Sequence, residues 1–391
     1  SASPPSHTFE QELMDNAEKS PDAGERMNAE ARAAHSLTYW QLVRLRFRRN
    51  TYGMAGLAGC LFIILTAVFA EFLAPYESHK SNRSLLYTPP QWIKFYDSEN
   101  GLQRPFVYGF MEEMDPNTFE IIFESDPEKK STVRFFVEGS EWSLLGLTFN
   151  THLFGTDEGS TIHILGTDNL GRDVFSRMVI GTRISLLMGL IVMATALVIG
   201  TIVGITAGFF GGFYDLVVQR VVEFFKAFPD LPLYLALTAI LPRRADAVLI
   251  FVMFAGILVL LRWADLSREV RGKVISMRRL EYVRAAEAVG ASNGRILFRH
   301  VVPNISSHLI VWATYQLPEV ILLESFLSFL GVGIQPPLVS WGAMLNQILD
   351  FQSFSAAPWM MAPVGMIIVS VMAFNAFGDG LRDAMDPYSN A

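Results

Sequence analysis

The chain has 391 residues, of which 51% are hydrophobic and only 18% are charged, whereas a typical soluble domain has about 25% charged residues. Uncharged runs such as Leu186–Phe210 and Trp359–Phe377 are long enough to cross a bilayer core, which takes about 20 apolar residues. These features exclude an ordinary soluble protein and predict an all-α polytopic membrane protein. Because the chain has one cysteine, Cys60, an internal disulfide is excluded, and packing is the favoured role for its side chain.

The amino-terminal region is polar before the first apolar run begins. Residues 1–43 are predicted to form a cytoplasmic tail, largely disordered through residue 36. The first membrane helix is predicted within residues 44–75, with its span at Tyr52–Ala74. Four arginines lie directly before it: Arg44, Arg46, Arg48 and Arg49. Because basic residues that flank a span stay in the cytoplasm, this cluster predicts a cytoplasmic amino terminus.

Residues 76–165 contain many acidic residues and aromatic-rich stretches, unlike the apolar spans. They are predicted to form a small β-containing periplasmic insertion. Two aromatic-rich stretches, Thr118–Phe123 and Thr132–Val137, flank the turn-like Ser125–Lys130, which predicts a β-hairpin. His152 and His163 occur in two similar strings, HLFGTD and HILGTD. No carboxylate–histidine spacing typical of a metal site accompanies them, so packing is favoured and no metal site is predicted.

Five further spans are predicted after the insertion: Ser185–Phe210, Asp215–Leu241, Ala247–Asp265, Ser306–Gly331 and Pro358–Phe377. The second of these should be kinked at Pro229 and Pro232. With the first span they make about six transmembrane helices, which place both termini in the cytoplasm. Residues 388–391 are predicted to form a carboxy-terminal tail.

The segment Leu266–Asn304 is the strongest support for this topology, because it is predicted to be a cytoplasmic loop and is rich in basic residues. Its cations are Arg268, Arg271, Lys273, Arg278, Arg279, Arg284, Arg295 and Arg299. Arg243 and Arg244 do not fit the preference of basic residues for the cytoplasm, since this topology places their short loop outside. Two cations do not outweigh eight.

Within this loop the string EYVRAAEAVGASNGRILFRHVVPN predicts a helix, a turn at Gly290 and Ala291, and a short second helix over Ile296–Val302 that stops at Pro303. Such a surface helix could bind anionic lipid. The functional alternative is a coupling element that inserts into a groove of a partner protein and transmits the partner's motion.

The spacing Ala285-Ala286-x3-Gly290-x12-Pro303 resembles the EAA loop of ABC importer permeases, especially the dipeptide, oligopeptide and nickel branch. Arg284, His300 and Val302 replace the glutamate, isoleucine and leucine of the general motif. The resemblance implies that the loop docks onto a separate ATP-binding subunit. The residues expected to carry the coupling are Arg284, Ala285, Ala286, Gly290, Ala291, Arg295 and Pro303.

Three other stretches resemble the same branch: Leu165–Leu186, Ile321–Leu345 and Gly378–Pro387. The first carries a motif expected on the periplasmic side, formed by Gly166, Thr167, Asp168, Gly171, Arg172 and Asp173. The matches cover about residues 165–387, and residues 166–387 are expected to form a five-helix permease core with the coupling loop at 266–304. The long insertion is most similar to the Yej-type peptide permeases.

The resemblance implies a type I ABC importer permease fold and a role in ATP-driven peptide import across the bacterial inner membrane. The implied partners are a second homologous permease, two ATP-binding subunits and a periplasmic peptide-binding protein. The chain has no G-x-x-x-x-G-K-[ST] loop, so ATP and Mg²⁺ are expected on the partner subunits and this chain is not expected to be an enzyme or to hold a cofactor. No catalytic residue and no nucleic-acid partner are predicted.

Three acidic residues of the predicted spans, Glu324, Asp230 and Glu319, are candidates for a gate, a pathway or an interface. A charge within a span costs about 2.5–3.5 kcal/mol on insertion scales, so these side chains should avoid lipid. For Glu324, packing or an interface is favoured over the pathway.

Three other functions stay open at this point. A nickel or other small-solute ABC permease would share these motifs. A proton-coupled secondary transporter could use the intramembrane carboxylates, but it would usually show a repeated pair of broken helices, which the sequence lacks. A membrane-anchored sensor could bind its ligand through residues 76–165, but it would not need five core spans.

Overall fold

A computed structural model describes residues 38–97, 101–114, 121–144, 146–156, 160–242, 245–349 and 351–386. The predicted tails over 1–36 and 388–391, as well as Arg243 and Arg244, lie outside the described residues. The α-helices are α1 (Tyr39–Arg49), α2 (Thr51–Val68), α3 (Ala70–Leu73), α4 (Val174–Phe210), α5 (Gly212–Lys226), α6 (Asp230–Thr238), α7 (Ala247–Met277), α8 (Glu281–Ala288), α9 (Asn293–Ile296), α10 (Val302–Phe329), α11 (Trp341–Leu345), α12 (Phe351–Ala356) and α13 (Ala362–Met385).

Shorter helical turns are the 3-10 segments Arg83–Leu85, Asn346–Ile348 and Pro358–Met361 and the π-helix Leu297–Val301. The strands are β1 (Lys94–Asp97), β2 (Gly101–Met114), β3 (Ile121–Leu144) and β4 (Leu147–Thr156). The strands all come from the 76–165 segment, so the prediction of a helical protein with a β-containing insertion is confirmed.

Four stretches of the described chain are long and apolar enough to cross a membrane: α2, α4, α7 and Pro358–Met385. Helix α10 matches the fifth predicted span and is continuous over 28 residues. The predicted kink in Asp215–Leu241 is a full break, since α5 ends at Lys226 and α6 begins at Asp230. Pro229 explains the break, because a residue before proline avoids the helical region. Pro232 is tolerated in the first turn of α6, where its missing N–H is not needed.

Two helices extend beyond the predicted segments. Helix α7 continues to Met277, well beyond the predicted end of its span at Asp265. Its charged residues are tolerated because several have ion-pair partners on neighbouring helices. The short helix expected to stop at Pro303 instead continues as the π-helix Leu297–Val301 into α10, and Pro303 lies in the first turn of that helix, where proline fits.

Small residues allow the long helices to pack closely. Gly200, Gly204 and Gly208 of α4 lie against the backbone of α7, where an added Cβ would come within 2.6–2.8 Å of a carbonyl oxygen. Helix α2 packs in the same manner on α13, through Gly53 and Gly56. Cys60 is buried in the adjoining core cluster, which agrees with the predicted packing role.

The insertion is one antiparallel sheet with the strand order β1-β2-β3-β4. The predicted hairpin turn at Ser125–Lys130 is wrong. Residues 121–123 and the whole of Thr132–Val137 lie on one strand, β3, which pairs with β2. Ser125–Lys130 forms a bulge in that strand rather than a hairpin turn, because the pairing shifts from Tyr108↔Lys130 to Gly109↔Asp126. Asp126 stabilises the bulge by accepting a hydrogen bond from the Glu128 N–H at 3.0 Å.

Candidate functional site: a coupling element and a charged membrane face

Residues 281–303, here named the coupling element, begin with α8 and reverse direction at Gly290. The Gly290 N–H donates to the Glu287 carbonyl at 3.0 Å, and the Ala291 N–H donates to the Ala286 carbonyl at 3.1 Å. This pair of bonds is a Schellman cap, and it needs a left-handed residue, which Gly290 supplies with φ +79°. The Ala-Ala-x3-Gly-Ala spacing therefore describes a helix terminus whose geometry is fixed by local chemistry.

The inner face of the coupling element is buried against the ends of α4 and α7. Val283 and Ile296 are fully buried there. They share a cluster with Ile205, Phe209, Leu266, Val270, Val274, Val301 and Ile305. Ala286 and Ala291 are partly buried at the edge of this cluster. The element and the two helices beneath it therefore share one buried cluster.

The outer face of the coupling element is exposed and mixes apolar and basic side chains. Val289 is 84% exposed and Phe298 is 79% exposed. Arg284, Ala285, Gly290 and Arg295 are also exposed. Sequence reasoning missed Val289 and Phe298, although a large apolar residue next to the Gly290 turn is a signal for contact with another protein.

A second group of side chains lies on α5, α6, α7 and α10 and is here named the charged face: Lys226, Asp230, Arg262, Asp265 and Glu319. The Arg262 guanidinium is 2.7 Å from the Glu319 carboxylate. The Lys226 ammonium is 3.1 Å from Asp265 and 3.6 Å from Asp230. The structure thus brings together two of the predicted carboxylates, Asp230 and Glu319, with cations that sequence reasoning did not assign to them.

The charged face lies on segments that the sequence predicts to span the membrane. Arg262 is 15 residues from Ala247 (262 − 247), which at 1.5 Å each is about 22 Å along α7. Lys226 and Asp230 flank the break between α5 and α6. The Glu319 side chain is 59% exposed on the surface of this chain. Since charged groups at this depth avoid lipid, this face must contact water or another protein.

The third predicted carboxylate, Glu324, lies apart from the charged face and is fully buried inside the chain. It accepts a hydrogen bond from the Ser328 hydroxyl at 2.7 Å and another from the Ser185 hydroxyl at 3.1 Å. Ser185 also accepts from the Trp341 N–H at 3.3 Å. Glu324 therefore connects α4, α10 and the start of α11, and its position favours packing over the pathway.

The motif Gly166–Asp173 joins the insertion to the long helices. The Thr167 N–H donates to the Thr88 carbonyl at 2.9 Å, and the Trp359 indole donates to the Thr167 carbonyl at 3.0 Å. Asp173 caps α4 by accepting from the Ser176 N–H at 2.7 Å. At Gly171, with φ +69°, an added Cβ would overlap the Asn82 carbonyl.

Asp168 and its neighbours complete this joint. One Asp168 oxygen accepts from the Leu170 and Arg172 N–H groups at 2.9 and 3.0 Å, and the other binds the Arg172 guanidinium at 2.7 Å. Burial raises the pKa of Tyr76 to about 12, and the Tyr76 hydroxyl accepts from the Ile162 N–H at 2.9 Å. All six predicted residues of the motif lie in this one joint, whose geometry indicates a structural connection.

The two histidines are buried in the insertion. His163 contacts Asp173 at 2.9 Å, and His152 contacts the carbonyl oxygens of Glu71 and Ala74 at 2.8 and 2.7 Å. Both positions agree with the predicted packing role. Within the described residues, no group of three or more His, Cys, Asp or Glu side chains is placed to hold a metal ion.

Comparisons with known proteins support the resemblance seen in the sequence. Residues 200–388 match the family of binding-protein-dependent transport system inner membrane components, and residues 38–90 match the N-terminal transmembrane domain of oligopeptide transport permease C. The oligopeptide transport system permease protein OppC of Bacillus subtilis is 31% identical over 94% of this chain and 95% of its own length. The chain belongs to this permease family.

Two other relatives of this permease align over a shorter part. The dipeptide transport system permease protein DppC of Alkalihalophilus pseudofirmus is 40% identical over 58% of this chain and 73% of its own length. The glutathione transport system permease protein GsiD of Pectobacterium atrosepticum is 38% identical over the same shares. The permease is thus a membrane-embedded transport component rather than an enzyme, and the type I fold prediction is confirmed. The closer likeness to the Yej-type subgroup stays a prediction.

Proposed function

We propose that this permease forms half of the translocation pathway of an ATP-driven peptide importer in the bacterial inner membrane. Its partners are a second homologous permease, two ATP-binding subunits that carry ATP and Mg²⁺, and a periplasmic peptide-binding protein. Peptide as the substrate class is supported by the relatives, which are named for oligopeptide, dipeptide and glutathione transport. A nickel or other small-solute system is the alternative, and the ligand of the binding protein decides between them.

The orientation of the chain in the membrane is inferred from contacts at one end of the molecule. The Tyr39 hydroxyl of α1 lies 2.9 Å from the Ser307 hydroxyl of α10, and the Arg46 guanidinium donates to the Asp386 carbonyl at 2.8 Å. The start of α1, the end of α13 and the junction of the coupling element with α10 therefore lie together. Since the basic loop 266–304 favours the cytoplasm, the termini are cytoplasmic and the 76–165 insertion is periplasmic.

The observation that carries the proposal is the two-faced coupling element. Its inner face is packed on α4 and α7, whereas its outer face exposes Val289, Phe298 and two arginines to solvent. An exposed apolar group that is rimmed by charges is typical of a protein interface. Closure of the ATP-binding subunits would displace the element as a rigid body and tilt the core helices, which would alternate the pathway between outward and inward openings.

The charged face supplies the wall of the pathway in this proposal. Its side chains lie on predicted membrane-spanning segments, and its two sets of ion pairs connect α5, α6, α7 and α10. A water-filled cavity between two permeases would satisfy the requirement that these charges avoid lipid.

Charge reversal tests this assignment. Glu319→Arg brings a second cation to Arg262, so we expect uptake to fall at least tenfold while membrane insertion stays normal. The double variant Arg262→Glu/Glu319→Arg restores an ion pair, and we expect it to recover much of the uptake. Full uptake by both single reversals would contradict a pathway role for this pair.

The experiment that tests the proposed function is purification of the tagged chain from its native membrane with identification of the copurifying proteins. We expect a second permease and ATP-binding subunits to be recovered. Val289→Glu places a carboxylate in the docking surface, so we expect it to lose the ATP-binding subunits while keeping the second permease. Val289→Thr, which has nearly the same shape, is the control. Recovery of the chain alone or as a homo-oligomer in several detergents would refute the proposal.

A further inference from the structure

The hairpin between β3 and β4 is amphipathic at its tip. No charged residue occurs from Trp142 through Phe149. Trp142 pairs with Phe149 and Leu144 pairs with Leu147, whereas Ser143 pairs with Thr148. Since strand side chains alternate between the two faces of a sheet, one face of the tip is apolar and the opposite face is polar.

The apolar face of the tip lies against the end of the first membrane-spanning segment. The Trp142 and Phe149 rings stack with centroids 4.9 Å apart, and the Phe72 ring of α3 is 6.4 Å from Trp142. Phe136 of β3 is 6.2 Å from Phe72 and has φ +56°, a conformation that aromatic residues rarely adopt. The base of the hairpin is held in place by His152, whose ring contacts the carbonyl oxygens of Glu71 and Ala74.

Phe72 ends an exposed apolar stripe on the first span. Phe62 and Leu65 of α2 and Phe69, which lies between α2 and α3, precede it at intervals of three and four residues. These three side chains are 55%, 53% and 40% exposed. Exposed apolar side chains on a membrane helix are suited to contact with lipid, so the hairpin tip extends a surface of the chemistry that the bilayer requires.

The tip is exposed and its polar groups are compatible with an interfacial position. Leu147 is 65% exposed, and Phe136 and Phe149 are also exposed. The Trp142 indole N–H donates to the Thr151 carbonyl at 3.1 Å. Tryptophan and other aromatic residues are enriched at the boundary between the hydrocarbon core and the headgroups.

We propose that the apolar face of the 142–149 hairpin inserts into the lipid interface beside the first span and anchors the insertion to the membrane surface. The occupant of this surface is lipid rather than a protein, because the tip is uncharged and its aromatic rings contact Phe72 at the end of the first span. Held by this anchor and by His152, the sheet keeps a fixed height and tilt above the bilayer. The proposal requires only that the chain is embedded in a membrane.

Site-directed fluorescence quenching tests the anchor in the assembled transporter, reconstituted in lipid nanodiscs. Cys60 is the one cysteine of the chain, so Cys60→Ala gives a background for Leu147→Cys and Thr148→Cys labelled with bimane. Leu102→Cys is a third site, because Leu102 is 85% exposed but lies on β2, outside the hairpin. Quenching is measured with 5-doxyl-phosphatidylcholine in the bilayer and with iodide in the buffer.

We expect the label at position 147 to be quenched several-fold more strongly by doxyl lipid than the label at position 148. The labels at 148 and 102 should be quenched by iodide, which excludes hydrophobicity of the dye or of the site as the cause. Iodide quenching at 147 equal to that at 148 would overturn the proposal in favour of a solvent-facing tip. Protection of 147 from both quenchers would overturn it in favour of a protein partner. Because the readout is position, loss of transport does not affect it.

Discussion

Glu324 illustrates what a single buried carboxylate does in this permease. Its oxygens accept hydrogen bonds from Ser185 and Ser328 on two different helices. A buried hydroxyl left without a partner costs about 1–3 kcal/mol. The carboxylate is therefore a connection between α4 and α10 whose value depends on all of its partners being present.

Replacing Glu324 should separate this packing role from a pathway role. Glu324→Ala removes the acceptor of the Ser185 and Ser328 hydroxyls and of the more distant Ser325 hydroxyl, so we expect a loss of at least about 2–6 kcal/mol in stability, measured as a lower midpoint of thermal unfolding in detergent. Glu324→Gln keeps one acceptor oxygen and nearly the same volume, and it should unfold close to the wild-type temperature and transport normally. A stable Glu324→Gln protein that fails to transport would contradict the packing role.

The predicted role of Gly290 depends on its backbone conformation. Its φ of +79° favours glycine, and asparagine tolerates this region best among the other residues. Apart from the two neighbouring residues, no atom of the described part of the chain lies within 4 Å of an added Cβ, so a side chain here would project outward. We expect Gly290→Arg to abolish uptake and Gly290→Asn to retain much of it, with equal membrane insertion by both. Normal uptake by Gly290→Arg would contradict docking at this turn.

The spacing of the glycines in α4 allows α4 and α7 to pack closely. An added Cβ at Gly204 would lie 2.6 Å from the Ser267 carbonyl oxygen, whereas one at Gly256 of α7 meets no atom within 4 Å from another element among the described residues. Alanine is otherwise favoured over glycine within a helix by about 0.5–1 kcal/mol. We therefore expect Gly204→Ala to lower thermal stability and Gly256→Ala to leave it unchanged or higher. Equal stability of the two variants would show that this contact relaxes at no cost.

Elements defined by local chemistry could be predicted from the sequence, and elements defined by distant contacts could not. Uncharged runs located the long spans, and the Ala-Ala-x3-Gly spacing located the cap at Gly290. The bulge at Ser125–Lys130 was missed because its turn chemistry fits a bulge as well as a hairpin turn. Pro303 was misplaced because proline suits the first turn of a helix as well as the position after its end.

The candidate site was likewise predictable from the sequence only in part. The sequence indicated the coupling loop, but not that Val283 and Ile296 face inward while Val289 and Phe298 face outward. Asp230 and Glu319 were recognised as unusual intramembrane charges. The partner of Glu319 could not be recognised, because Arg262 and Glu319 are 57 residues apart in the chain and meet only when α7 packs beside α10. Lys226 is only four residues from Asp230, and that local pair was missed.

For the whole molecule, the buried contacts predict which parts move together. Val283 and Ile296 are packed on Val274 of α7, whereas α1 packs through Val43 on the end of α13. These two clusters share no residue, although each contacts α10, the first through Ile305 and the second through Ile310 and Val311. Spin labels at Arg284 and Gly272 would report on the first unit alone, and both sites are exposed. Labels at Arg284 and Arg44, which is also exposed, would report on the two units relative to each other.

Distances between spin labels in the assembled transporter, with Cys60→Ala as background, test this division with and without a non-hydrolysable ATP analogue. We expect the 284–272 distance to stay constant, because the coupling element is packed directly on α7, and the 284–44 distance to change by several ångströms as the core helices tilt. A change in the 284–272 distance would show that the coupling element moves separately from α7, which the shared cluster forbids. Two constant distances in a transporter that still hydrolyses ATP would show instead that this subunit moves as one body, and tilting of its core could not open the pathway.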